Sequence, residues 1–140
     1  MSDKKTARIV WKGTELNFQG TLGSGYAFDL SSQASPAAGS PMEFLLAAVA
    51  GCTAVDVVST LRKMRQPLDG LVVEISGVRA DDHPRVYTEA TIVYVVRGNS
   101  IDPQAVEKAI KLSKEKYCSA SAMFERAGVV LETDYRIEEG

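Results

Sequence analysis

Two side chains in this sequence are suited to covalent chemistry near neutral pH: the thiols of Cys52 and Cys118. A thiolate is a nucleophile and a soft metal ligand, and its neighbours set how much of it forms. The two cysteines do not make a Cys-x-x-Cys pair, and His83 is the only histidine. A zinc site needs about four nitrogen, sulfur or oxygen ligands, usually closely spaced, so neither a metal nor a cofactor is expected. Two cysteines in a chain of this size also do not build a disulfide framework. Both therefore read as reduced thiols.

Each cysteine has a plain structural reading beside the chemical one. Cys52 falls inside a long apolar helix, where a free cysteine often serves as a small hydrophobe. Asp56 follows one turn later on the same helix face. A carboxylate there disfavours a thiolate, so activation of Cys52 requires a cation from elsewhere. Cys118 stands where a short helix is expected to begin. The partial positive charge and free N–H groups of a helix start favour a thiolate, but taken alone the position is better explained by an ordinary N-cap at a helix junction.

The elements that must carry these residues are legible from pattern. Residues 7–12 read as a strand with Ile9 and Trp11 on one face, Leu16 to Gln19 as its hairpin partner, and Tyr26 to Leu30 as a third strand. Residues 31–40 are small and polar and read as a loop. Ser40, Pro41 and Glu43 form a helix start of the capping-box type. The helix is expected to run to about Gln66, before Pro67, and to be buried on most sides because it is apolar nearly all round. Gly51 inside it implies close approach of another backbone or of a ligand. Leu71 to Val78 alternate as a strand, and Val86 to Arg97 form a long strand covered on both faces. Asp102 and Pro103 open a second helix ending near Tyr117, with Val106, Ala109, Ile110, Ser113 and Tyr117 facing inward. A short helix, Ala120 to Ala127, and a last strand, Val129 to Ile137, complete the chain.

These elements make an α+β protein, read as a single domain over residues 1–140, a length that supports one hydrophobic core. The formal net charge of −2 with no block of one sign argues against a dedicated nucleic-acid binder. The polar start Met1 to Arg8 has no apolar core of a signal peptide. The apolar stretch Phe44 to Val58 is interrupted by Asp56 and falls short of the roughly 18 residues of a membrane span. A cytoplasmic protein with no membrane partner is the expectation.

The segments Ser40-Pro41-Met42-Glu43-Phe44-Leu45-Leu46-Ala47-Ala48-Val49-Ala50-Gly51-Cys52-Thr53-Ala54-Val55-Asp56-Val57-Val58 and Tyr117-Cys118-Ser119-Ala120-Ser121 resemble the two cysteine motifs of the OsmC/Ohr family. The order of elements agrees along essentially the whole chain, and Gly-Cys-Thr-x-x-Asp looks most like the OsmC-like branch. The resemblance implies antiparallel sheets packed around a long central Cys-bearing helix, and an intertwined homodimer with its sites at the interface. It implies thiol-dependent reduction of hydroperoxides, preferably organic ones, with Cys52 attacking and Cys118 resolving, and with an external dithiol restoring both. The family's peroxidases carry an arginine before the first cysteine helix, but Phe18 to Ala27 holds no arginine or lysine. Arg85, after the Asp-Asp-His-Pro turn, is the substitute assigned here, with Arg8 second. The family's glutamate position is Met42 in this chain, and Glu43, one residue on, is explained by capping. The competing function is a protein that binds a small molecule or senses oxidants without efficient turnover.

Overall fold

Ser40 sets the register of the cysteine helix through the capping box that the sequence signals. Its N–H donates to Glu43 Oε1 at 3.0 Å, and the Glu43 N–H donates back to Ser40 Oγ at 3.4 Å. In the computed structural model, which describes residues 3–140, this start opens α1 (Pro41–Lys63). Met1 and Ser2, where the N-terminal reading begins, lie outside the described residues. The helix stops a turn earlier than Pro67 demands. Arg65 takes a left-handed φ of 58°, and the Gln66 and Arg65 N–H groups donate to the carbonyls of Leu61 and Arg62. This paired closure is a Schellman motif, which ends the helix with its last carbonyls satisfied.

The chain forms two compact units, Met1–Leu45 and Leu46–Gly140, whose boundary falls within the first turns of α1. The first unit is an antiparallel meander of β1 (Ala7–Trp11), β2 (Asn17–Leu22) and β3 (Ala27–Ser31). Gly20 faces Phe28 across β2 and β3, and any Cβ at Gly20 would overlap the Phe28 ring. That ring in turn meets Phe44 at 5.0 Å between centroids.

The second unit holds the sheet β4 (Gly70–Arg79), β5 (Tyr87–Arg97) and β6 (Val130–Glu138), with β5 in the centre. β4 and β5 are antiparallel, as expected, but β5 and β6 are parallel. The expectation of antiparallel sheets is corrected at this pair. The chain between them passes through α2 (Pro103–Leu112), a π-helical turn (Ser113–Tyr117) and α3 (Ser119–Arg126). Such a crossover returns the chain in the same direction, whereas a tight hairpin reverses it.

Burial follows the alternation of β5: Ala90, Ile92, Tyr94 and Val96 are buried on one face. The opposite face is covered only towards the end of the strand, where Val95 is buried while Thr91 is exposed. From α1, the residues buried are Val49, Thr53, Val57 and Leu61, a single stripe at intervals of four. The expectation of burial on most sides is therefore not met within one chain: Val55 is 70% exposed, and a Cβ at Gly51 would meet open space. By length and composition α1 is also apolar enough to cross a membrane, with mean hydropathy 1.9 and 22% of that window buried. The core helix of a folded protein meets the same measure of length and composition. Alanine, glycine and the other apolar residues keep the average high around one charge.

The stripe yields a direct test. Leu61→Ala removes a fully buried side chain and is expected to cost about 2–5 kcal/mol, measured by urea unfolding. A loss well under 1 kcal/mol would show that the stripe does not anchor the core.

Candidate functional site

A threonine one residue after Cys52 organises this region. Thr53 Oγ1 lies 2.7 Å from the Tyr94 hydroxyl and 2.8 Å from Ser113 Oγ, and Ser113 Oγ donates to Asp56 Oδ2 at 2.8 Å. A carboxylate without its proton only accepts, and each hydroxyl has one hydrogen. Ser113 spends its hydrogen on Asp56, so it accepts from Thr53, and Thr53 accepts from Tyr94. The chain of bonds runs one way, from Tyr94 through Thr53 and Ser113 to Asp56. Tyr94, Thr53 and Ser113 are all buried. It joins α1, β5 and the end of α2.

The π-helical turn supplies Ser113 and places Cys118. The Cys118 N–H donates to the Ser113 carbonyl at 2.8 Å, five residues back. The wider turn rotates the following side chains relative to an α-helix. Tyr117, expected to face inward, is for this reason 52% exposed. Cys118 then caps α3 and accepts from the Ser121 N–H at 3.3 Å and the Ser121 hydroxyl at 3.0 Å.

Cys52, Cys118 and Asp56 come together here: the two sulfurs and a carboxylate oxygen lie within 4.8 Å of one another. Both cysteines are free. Cys52 is half-buried and Cys118 only 2% exposed. Burial pushes the Cys118 thiol up, and the bonds from Ser121 only partly oppose it, while Cys52 opposite adds to the rise. The helix start thus does not win against desolvation at Cys118. Tyr94 is likewise pushed up, first by burial, with Cys118 and Asp56 adding to the rise.

The other two predicted site residues are hydrogen-bonded to their own local neighbours. Glu43 is exposed and engaged by Ser40, whose N–H and hydroxyl hold its carboxyl below the usual range. Arg85 belongs to the turn between β4 and β5, where its Nε donates to the Ala80 carbonyl at 3.4 Å and its own carbonyl accepts from Arg79 Nε at 2.8 Å. Among the described residues no ion pair reaches Asp56. A cleft of about 230 Å³ opens beside it, lined by Asp56, Ser59, Thr60, Lys63, Leu112 and Tyr117. Sequence reasoning missed Thr53, Tyr94, Ser113 and Ser121, and also Lys63 as a cation lining this cleft. The one available signal was the spacing of Thr53 and Asp56 around Cys52.

Residues 33–134 match the model of the family described as OsmC-like protein. Protein YhfA of Escherichia coli K12 is 38% identical over 121 residues, covering 86% of this chain and 90% of that protein. A crystal structure of a hypothetical protein from Aquifex aeolicus VF5 superimposes with a TM-score of 0.88 at 29% identity, over 99% of both chains. An organic hydroperoxide resistance protein OsmC from Legionella pneumophila shares the fold with a TM-score of 0.69 at 13% identity, covering 95% of this chain and 96% of that one.

Raised values for Cys118 and Tyr94 have a consequence for stability. Above about pH 8.5 the thiol ionises in the unfolded chain first, so the unfolded state binds fewer protons than the native state and stability falls as pH rises. Under a phosphine reductant, the urea midpoint is expected to drop between about pH 8 and 10, and Cys118→Ala to flatten that drop. A midpoint rising over this range would refute the burial argument.

Proposed function

Because the chain belongs to the OsmC-like family, we propose that it reduces organic hydroperoxides by a two-cysteine cycle. The observation that carries this reading is the approach of the two sulfurs within 4.8 Å, one half-exposed and one buried. The Cys52 thiolate attacks the peroxide O–O bond. It becomes a sulfenic acid, and the alkoxide leaves and takes a proton. The Cys118 thiol then displaces water from the sulfenic acid, forming a Cys52–Cys118 disulfide. An S–S bond of about 2.05 Å asks the sulfurs to close by no more than about 2.8 Å from that limit. An external dithiol returns two electrons and two protons.

The exposures favour this division of labour. The attacking sulfur must meet a substrate from solvent, and Cys52 is the more accessible. The resolving sulfur gains from staying protonated and protected until the sulfenic acid forms. Lys63, which lines the cleft at Asp56, is the cationic support this reading assigns to the Cys52 thiolate, with Arg85 as the alternative drawn from the sequence.

A second copy of the chain is the natural cover for the apolar surface left open. Within the first unit, Trp11 is 57% exposed and no apolar side chain is buried among the described residues. On α1, Leu45 and Val55 are exposed and Gly51 faces open space. An intertwined homodimer accounts for the small-residue helix and the uncovered strands together.

Two measurements decide these points. Mild tert-butyl hydroperoxide is expected to consume two thiols per chain, reversibly with dithiothreitol, and Cys52→Ser to abolish turnover; Cys118→Ser should leave Cys52 open to over-oxidation. In a pH titration of Cys52 alkylation, Arg85→Ala or Lys63→Ala should lower the thiolate fraction, and Arg8→Ala should not. If peroxide is not consumed, the binding or sensing reading takes its place. Light scattering at micromolar concentration should give about twice 15.1 kDa, and Val55→Asp should shift it towards the monomer. A wild-type monomer, or partition of the chain into lipid vesicles, would refute the dimer.

A further inference from the structure

The donor set of Cys52, Asp56 and Cys118 suits a soft cation as well as a redox cycle. Two sulfurs and one carboxylate oxygen lie within 4.8 Å of one another. Zinc holds sulfur at about 2.3 Å and oxygen at about 2.0–2.2 Å, which sets neighbouring donors of a tetrahedral site roughly 3.3–3.8 Å apart. The donors here need close by only about an ångström. Cys52 and Asp56 stand one turn apart on α1, and Cys118 comes from the junction before α3.

Two of the three donors are already oriented as acceptors by outer bonds. Ser113 donates to Asp56 Oδ2, and Ser121 donates twice to Cys118 Sγ. Outer bonds of this kind fix ligand orientation in metal sites. Two thiolates and a carboxylate in so small a volume repel each other strongly unless a positive charge joins them. Among the described residues none forms an ion pair with Asp56, and Lys63 stands in the adjoining cleft. Two thiolates select a thiophilic ion over magnesium or calcium. Three protein ligands leave a fourth position for water or another group.

We infer that the reduced site binds one zinc ion through Cys52, Asp56 and Cys118. The ion displaces the two thiol protons to solvent, and no electrons move. Zinc and oxidation compete: bound zinc occupies the sulfur lone pairs that attack peroxide, and a Cys52–Cys118 disulfide removes two of the three ligands and releases the ion. The site requires the two cysteines reduced, together with Asp56, and holds whether or not the protein turns over peroxide.

The test uses the full-length reduced chain, zinc chloride and a chromophoric chelator as competitor, with no peroxide present. One zinc per chain is expected, with affinity reduced more than about tenfold by Asp56→Asn and roughly tenfold by Ser113→Ala. Cys52→Ser and Cys118→Ser should lose the saturable uptake, and diamide should release the ion. Cobalt(II) added to the wild type should give a thiolate-to-metal charge-transfer band, a readout that does not depend on any variant folding. Absence of that band, no saturable zinc uptake, or uptake unchanged in both serine variants would each overturn the site. Loss of peroxide turnover with zinc binding intact would refute the peroxidase reading alone.

Discussion

The structure of the second unit turns on the hydroxyl of Thr53. It bonds both to β5, through Tyr94, and to the end of α2, through Ser113. Thr53 itself belongs to α1, so three elements meet at a buried oxygen that carries a single hydrogen. Because Ser113 is committed to Asp56, the direction of every other bond in the chain follows. A buried hydroxyl without a partner costs about 1–3 kcal/mol, and no buried side-chain polar atom among the described residues is left without one. The network is complete, and it therefore specifies one arrangement of the three elements.

That arrangement also places the chemistry. Holding Thr53 against β5 turns the Cys52 side of α1 towards the π-helical turn, and the same turn that offers Ser113 delivers Cys118 five residues later. Asp56 receives the last bond of the chain and faces both sulfurs. The cost of this geometry is electrostatic. Three groups that can each carry a negative charge share one partly buried space, and burial keeps the Cys118 thiol protonated. A protonated Cys118 beside a more exposed Cys52 suits an attacking and resolving pair, and the same concentration of soft donors suits a thiophilic cation.

The apolar surface outside this network is the other constraint. A stripe of four residues on α1 is satisfied within the chain, while Val55, Leu45 and the first-unit strands are not. Burial is worth roughly 25 cal/mol per Å² of apolar surface, so an uncovered helix face of this kind is a strong drive to association. Small residues such as Ala47, Ala50, Gly51 and Ala54 leave little side-chain bulk along this helix, and a Cβ at Gly51 would meet only open space.

What the sequence by itself determined is local. The capping box at Ser40 and Glu43, the Asp102 and Pro103 start of α2, and the alternation of Leu71, Val73 and Ile75 all depend on neighbours within a few residues, and all stand in the structure. The family motif around Cys52 and Cys118 was likewise readable, because it is a string of residues. Only the tertiary structure decided the rest. That Thr53, Tyr94 and Ser113 form one wire depends on contacts across 41 and 60 residues of chain, and hydroxyl residues are too common for their types to announce it. The parallel pairing of β6 depends on the crossover path, which no strand pattern encodes. The outward turn of Tyr117 comes from one extra residue in a helical turn, which the 3.6-residue period does not foresee. Electrostatics at Cys118 followed the same rule: the sequence showed a helix start that favours a thiolate, and the depth of burial, a property of the whole fold, reversed the balance.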